Sequence, residues 1–267
     1  MKRLVLLLLV LGLVGGLGWG ATKIKWVSRE TWTFEDQAKI KAEQERKKDE
    51  ETVEKIKQIT ADDKGEYAVA VYRLGDGSGY GFNQNEVMPA RSVIKVPVIA
   101  AALENGPVSA SVSSLLLKMG KQSNNAAQEK MVKILGMKAI NDGITDLGMK
   151  NTNYEVNNTT VGDVVQMWRN LYQKDYWEEM KKNLTDSIFE DRIAAGIPEG
   201  IILVHKVGTD TTVWNDSGVI IPKITNDKLQ ITKPFILVIL NKDVDLAEAK
   251  VTVPEVTKLI WDYETNR

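Results

Sequence analysis

The sequence predicts an α/β fold of the α+β type. An antiparallel sheet of five strands is flanked by N- and C-terminal helices, and an all-helical lobe is inserted between the second and third strands. Three observations predict it. The β-rich segments fall into two groups, within 67–85 and 201–240, instead of alternating regularly with helices as a doubly wound parallel sheet requires. Connections within each group are short, which favours antiparallel pairing. Between the groups, residues 92–195 carry helical periodicity.

Taken in order, Lys2 and Arg3 precede an apolar run from Leu4 to about Ala21. This pattern reads either as a secretory signal peptide or as an N-terminal membrane anchor with its basic end inside, over residues 1–21. Both readings place the remaining chain outside the cytoplasm, secreted or on the outer face of the membrane. Residues 22–65 form a charged helical segment, with Glu43/Lys47 and Glu51/Lys55 at i,i+4 spacing. Its apolar residues are sparse, and only the second half, with Val53, Ile56 and Ile59, is equipped to dock on a core. Residues 66–267 form the main domain, with a sheet lobe at 66–91 and 196–267 and a helical lobe at 92–195.

In that domain, Tyr67–Leu74, a Gly75-Asp-Gly-Ser-Gly turn and Tyr80–Asn85 read as a hairpin. Ser92 opens a nearly all-apolar helix through Leu103, buried on most sides. Pro97 would break the interior of that helix, so the regular part is expected to start near Ile94. Further helices are expected at Val112–Met119 and Asn125–Leu135, and another opens at Thr159-Thr-Val-Gly-Asp163 with a Thr cap. Strands return at Ile201–Val207, Val213–Ile221 and Pro234–Leu240. An amphipathic helix at Leu246–Tyr263 follows.

Composition excludes much chemistry. Lys and Arg total 35 against 36 Asp and Glu, so the basic surplus of a nucleic-acid binder is missing. No cysteine is present, which removes disulfides, thiol nucleophiles and Cys-ligated metals. The single histidine, His205, cannot form a two-His zinc motif. No metal and no organic cofactor is expected.

Three short motifs remain, and their context gives them weight. Ser92-Val-Ile-Lys95 puts a hydroxyl and an amine on one helix face, one turn apart. Ser123-Asn-Asn125 opens another helix, and Lys206-Val-Gly208 lies in the first strand after the helical block. A serine nucleophile needs a base within hydrogen-bond reach. Lysine serves if burial and a neighbouring cation depress its pKa from about 10.4. Lys95, on an apolar helix and facing Lys206, has both perturbers. Ser123 would relay a proton to the leaving nitrogen, and Asn125 would orient Lys95 and the substrate. The backbone N–H groups of Ser92 and Thr209 would form an oxyanion hole. The competing structural readings are that Ser92, Ser123 and Asn125 only cap helices, and that Lys206 only guards a strand edge. His205, adjoining Lys206, points to the other face of its strand and reads as packing.

This ordered set resembles the serine β-lactamase and penicillin-binding superfamily, most closely the class A β-lactamase type. The resemblance runs from about Tyr67 to Tyr263. It rests on Ser92-Val-Ile-Lys-Val-Pro-Val, Ser123-Asn-Asn-Ala-Ala, Leu135-Gly, Asp146-Leu-Gly-Met, Thr159-Thr-x-x-Asp163, Lys206-x-Gly208-Thr209 and Trp214-Asn-Asp216. It implies a β-lactamase-like fold and an acyl-enzyme formed by Ser92 attack on a β-lactam or a D-alanyl peptide, with Lys206, Gly208 and Thr209 binding substrate. Three departures stand out. Val207 replaces a threonine hydroxyl that helps bind the substrate carboxylate, and Thr209, on the same strand face, compensates in part. The stretch from Ser92 to Ser123 is short, which reduces one rim of the cleft. Glu155 is the sole nearby candidate for the deacylating base, but its spacing to Asn157 and Asn158 does not match the family's. Three functions therefore stay open: a β-lactam hydrolase, a slow-turnover penicillin-binding carboxypeptidase or transpeptidase-like enzyme, and a non-catalytic cell-wall or partner-binding protein. Membrane contact is expected only through the N-terminal run.

Overall fold

The chain divides into two units, residues 1–42 and 43–267. The computed structural model describes residues 34–222 and 233–267. The apolar run at residues 1–21 lies outside the described residues, and no helix among those described is long and apolar enough to cross a membrane. Of the first unit, the described part is helical.

That helix, α1 (Phe34–Ala61), continues into the second unit. There Ile56 is fully buried and Val53 and Ile59 pack beside it, so the half chosen on apolar content is the half that docks. Residues 43–65 fall within the second unit.

The sheet contains β1 (Glu66–Arg73), β2 (Gly79–Phe82), β5 (Ile202–Asp210), β6 (Val213–Ile221) and β7 (Phe235–Lys242), in the order β2-β1-β7-β6-β5. Every neighbouring pair is antiparallel, and β1 pairs with β7 from Glu66↔Lys242 to Arg73↔Phe235. The first two and last three strands thus join in one sheet, as the two-group pattern requires. β5 runs three residues past the expected end because its hairpin with β6 holds register to Asp210↔Val213.

Side chains alternate across the strands and separate two cores. On one face Val204, Val219, Ile236 and Val238 meet the helical lobe, including Ile99, Met131 and Trp168. On the other, Val69, Leu203, Leu237 and Ile239 meet Ile56 of α1 and Val253 and Ile260 of α7 (Leu246–Asn266). Burial of such side chains stabilises the fold by roughly 1.5–3 kcal/mol each. Arg73 ties the second face together through ion pairs with Asp49 of α1 at 2.6 Å and Glu264 of α7 at 2.7 Å, its side chain being only 4% exposed.

The helical lobe holds α2 (Lys95–Leu103), α3 (Ala110–Gln122), α4 (Asn125–Asp146), α5 (Val161–Leu171) and α6 (Trp177–Leu184). Pro97 sits at the third position of α2, in the first turn, where helix N–H groups lack intrahelical partners anyway. The stop expected at Leu135 is a break inside α4: Gly136 leaves helical geometry at φ 77°, which glycine tolerates, and the chain resumes as helix to Asp146. Helix α6 is separate from α5, and a two-residue pairing joins β3 (Met88–Pro89) to β4 (Asn158–Thr159); neither had a distinct sequence signal. Thr160 caps α5 by accepting from the Asp163 N–H, and the Asp163 carboxylate accepts from the Asn151 N–H and the Thr152 hydroxyl. The Thr-Thr-x-x-Asp motif therefore pins the loop before α5.

Candidate active site

Ser92 lies in a 3-10 turn, Arg91–Ile94, that feeds directly into α2 at Lys95. Helix α2 starts without a side-chain cap, so Ser92 is not a capping residue. Its Oγ instead accepts a hydrogen bond from Lys95 Nζ at 2.6 Å. The same amine donates to Asn125 Oδ1 at 2.8 Å. Asn125 is free for this because Asn124 takes the capping role, its Oδ1 accepting from the Ala127 N–H.

Ser123 ends α3 in the left-handed region at φ 53°, a conformation that non-glycine residues adopt at a cost of order 1–3 kcal/mol. Its Oγ accepts from Lys206 Nζ at 2.9 Å. Lys206 is 1% exposed on β5, so it is no solvent-facing edge lysine. The Phe189 ring centroid stands 6.0 Å from its amine.

Burial lowers Lys95 to about 8. Lys206 falls further, to about 7, through burial first and then the charge of Lys95, with Asp216 pulling the other way and Arg192 adding to the fall. The two predicted perturbers are thus divided: burial acts on both amines, and the second cation acts on Lys206.

Gly208 brings β5 against the Ser92 turn. A Cβ built there would lie 2.7 Å from the Ala90 carbonyl oxygen and 3.3 Å from the Ser92 nitrogen. Only glycine admits this approach, which sets the β5 main chain at Thr209 beside the Ser92 turn.

Thr209 is exposed on the strand face opposite Lys206, and its Oγ1 accepts from Arg192 Nη2 at 2.7 Å. Arg192 also donates to the Asn215 carbonyl at 2.7 Å and stacks on Trp214 at 3.7 Å. Because the Thr209 oxygen accepts from Arg192, its own proton is free to be donated elsewhere. Val207 is 2% exposed and offers no hydroxyl.

Glu155 sits exposed in the turn before β4, and among the described residues it makes no hydrogen bond or ion pair with Ser92, Lys95 or Asn125. The residue of that loop that does reach the Ser92 turn is Asn157. Its Oδ1 accepts from the Arg91 N–H at 2.6 Å, and its carbonyl accepts from the Ala90 N–H at 3.0 Å. Arg91 itself is held at φ 49°, strain next to Ser92 that this clamp sustains. Asn157 and Arg192 had no role on sequence grounds. Asn157 offered one signal, since asparagine tolerates its φ of 59°.

An activatable serine at the seam of a sheet and a helical lobe, with a lysine against it and a second Ser–Lys pair opposite, defines the serine β-lactamase and penicillin-binding superfamily. The chain belongs to the Beta-lactamase enzyme family, whose model matches residues 51–107 and 105–263. Among solved structures, it is similar to the TLA-1 extended-spectrum β-lactamase at a TM-score of 0.72 and 18% identity, covering 81% of this chain and 99% of that one. It is similar to a β-lactamase from Burkholderia phymatum at 0.68 and 19% identity, covering 80% and 98%. A PBP-A mutant, solved as its acyl-enzyme complex with penicillin G, matches at 0.69 and 16% identity, covering 80% and 96%. Among curated proteins, none matches by sequence.

Proposed function

We propose that this protein is an exported serine hydrolase of the class A β-lactamase type, acylated on Ser92 by β-lactams. The observation that carries the reading is the 2.6 Å contact between Lys95 Nζ and Ser92 Oγ, with the amine lowered toward neutrality by burial. Export rests on the basic and apolar composition of residues 1–21.

In this reading Lys95, as the free base, takes the Ser92 proton while Oγ attacks the lactam carbonyl. A positioned base of this kind contributes about 10²–10⁴-fold. The backbone N–H groups of Ser92 and Thr209 hold the resulting oxyanion, an arrangement supported by the close approach at Gly208. Ser123 passes a proton to the departing lactam nitrogen, the C–N bond opens, and the acyl group stays on Ser92. Repulsion between the two amines is mutual, so the pair favours one proton near neutral pH. A substrate carboxylate held at Lys206 draws that proton there and leaves Lys95 basic. The free hydroxyl proton of Thr209 supplies the donor that Val207 lacks.

A second reading, a slow-turnover penicillin-binding enzyme acting on D-alanyl peptides, is favoured by one observation. Glu155, the candidate base for the deacylating water, is exposed and unbonded to the Ser92 cluster. Intact mass of the protein with penicillin G, followed over time, separates the two. A transient adduct with penicilloate build-up marks the hydrolase, and a long-lived adduct marks the penicillin-binding enzyme. No adduct at high penicillin rejects both.

A further inference from the structure

His205 stands directly behind the site. It precedes Lys206 on β5, and its ring is fully buried on the opposite face of the strand. Nδ1 lies 3.0 and 3.1 Å from the two carboxylate oxygens of Asp216, itself fully buried on β6. The same carboxylate accepts the Ile193 N–H at 3.2 Å and the Ser217 N–H at 2.9 Å. Ile193 follows Arg192, the residue that holds the Thr209 hydroxyl. One carboxylate therefore clamps β5 beside Lys206 and the 190–193 segment beside Arg192.

We propose that His205 is a positioning residue for substrate-carboxylate recognition: through Asp216 it locks Arg192 against β5, and Arg192 in turn aims the Thr209 hydroxyl outward. The inference rests on the proposed acylation of Ser92 by carboxylate-bearing substrates. Its chemistry follows from charge. A buried carboxylate charge is costly, and besides the Ile193 and Ser217 N–H groups His205 Nδ1 supplies the carboxylate with a charged side-chain donor, which holds its oxygens where Ile193 reaches them. The ring is held protonated, raised to about 9: burial opposes its charge, but the charge of Asp216 and its hydrogen bond, with Glu190 beyond, outweigh that opposition. The groups facing the ring are Asp216 from β6 and Glu190, whose Oε1 is 3.5 Å from Nε2, from the segment before Arg192. His205, Val207 and Thr209 share a strand face, so the clamp lies in line with the hydroxyl it serves.

The test compares wild type, His205→Ala and His205→Asn, which keeps a donor facing Asp216. Pre-acylation binding and the acylation rate are measured separately for penicillin G and for its neutral methyl ester. His205→Ala should weaken binding of penicillin G about tenfold, with the acylation step changed less than threefold and the ester unaffected. His205→Asn should restore binding to within threefold. Equal losses for acid and ester, or no loss, would overturn the proposal. A wild type that forms no adduct fails the acylation reading instead, and a second measurement still tests the clamp. The lone histidine gives one assignable imidazole in nitrogen NMR, and the Arg192 guanidinium, bonded through Nη1 to the Asn215 carbonyl and through Nη2 to Thr209, should give slowly exchanging Nη–H signals. Those arginine signals should be lost in His205→Ala and in Asp216→Asn and kept in His205→Asn; their persistence in all three would overturn the clamp.

Discussion

Lys206 Nζ lies 2.9 Å from Ser123 Oγ, so a fully buried lysine on the edge strand of the sheet meets a serine at the end of a helix in the other lobe. That contact joins the lobes at the place where Lys95 and Ser92 form their own pair. The charge of Lys95 reaches across the seam and helps lower Lys206 to about 7.

Acylation should therefore follow pH. Attack needs the neutral amine, and Lys95 is lowered to about 8 by burial. The free-base fraction grows as pH rises through that value, so the second-order acylation rate should climb about tenfold per unit below it and then level off. For carboxylate-bearing substrates, proton loss from Lys206, lowered to about 7, should pull the rate down above that value, so their profile peaks between about 7 and 8 instead of levelling off. Stopped-flow acylation from pH 5.5 to 9.5 checks this, and a flat profile contradicts it.

Gly208→Ala tests the close approach of β5. The added Cβ would lie 2.7 Å from a backbone oxygen, which cannot move aside as a flexible side chain does. The strand must shift, and the Thr209 N–H shifts with it. Acylation should fall about 10²–10³-fold, the cost of one oxyanion donor, while the protein still folds by circular dichroism.

The Glu155→Gln variant separates the fast-turnover reading from the slow one. Its exposed position, away from the Ser92 hydrogen bonds, predicts that Glu155→Gln leaves the adduct lifetime within twofold of wild type. A lifetime lengthened by about 10²-fold would mark Glu155 as the base for water and restore the efficient hydrolase.

Arg73→Ala should destabilise the fold by about 3–5 kcal/mol, because it strands two carboxylates, Asp49 and Glu264, in a buried site. Urea unfolding measures this. A loss below about 1 kcal/mol would mean that the network is worth no more than a surface ion pair.

The sequence made the Ser92 cluster legible because its members lie near helix ends or on one face of a strand, where spacing alone dictates facing. Ser92 and Lys95 are one turn apart, and Ser123 and Asn125 flank a capping asparagine. The five-stranded sheet was legible because its strands alternate or run apolar between short turns. Arg192 and Asn157 were not. Arg192 acts across a register that only the pairing of β5 with β6 creates, and Asn157 acts on main-chain atoms sixty-six residues away. Helix α6 was hidden for a related reason: it follows α5 after a short connection, and both carry the same periodicity.

The central claim is that Lys95 makes Ser92 reactive, and the acylation rate of Lys95→Ala by penicillin G tests it most directly. With Ser92→Ala as the control that forms no adduct, Lys95→Ala should acylate at least about 10²-fold more slowly than wild type at pH 8. Equal rates in wild type and Lys95→Ala, or an adduct that survives Ser92→Ala, would contradict the account.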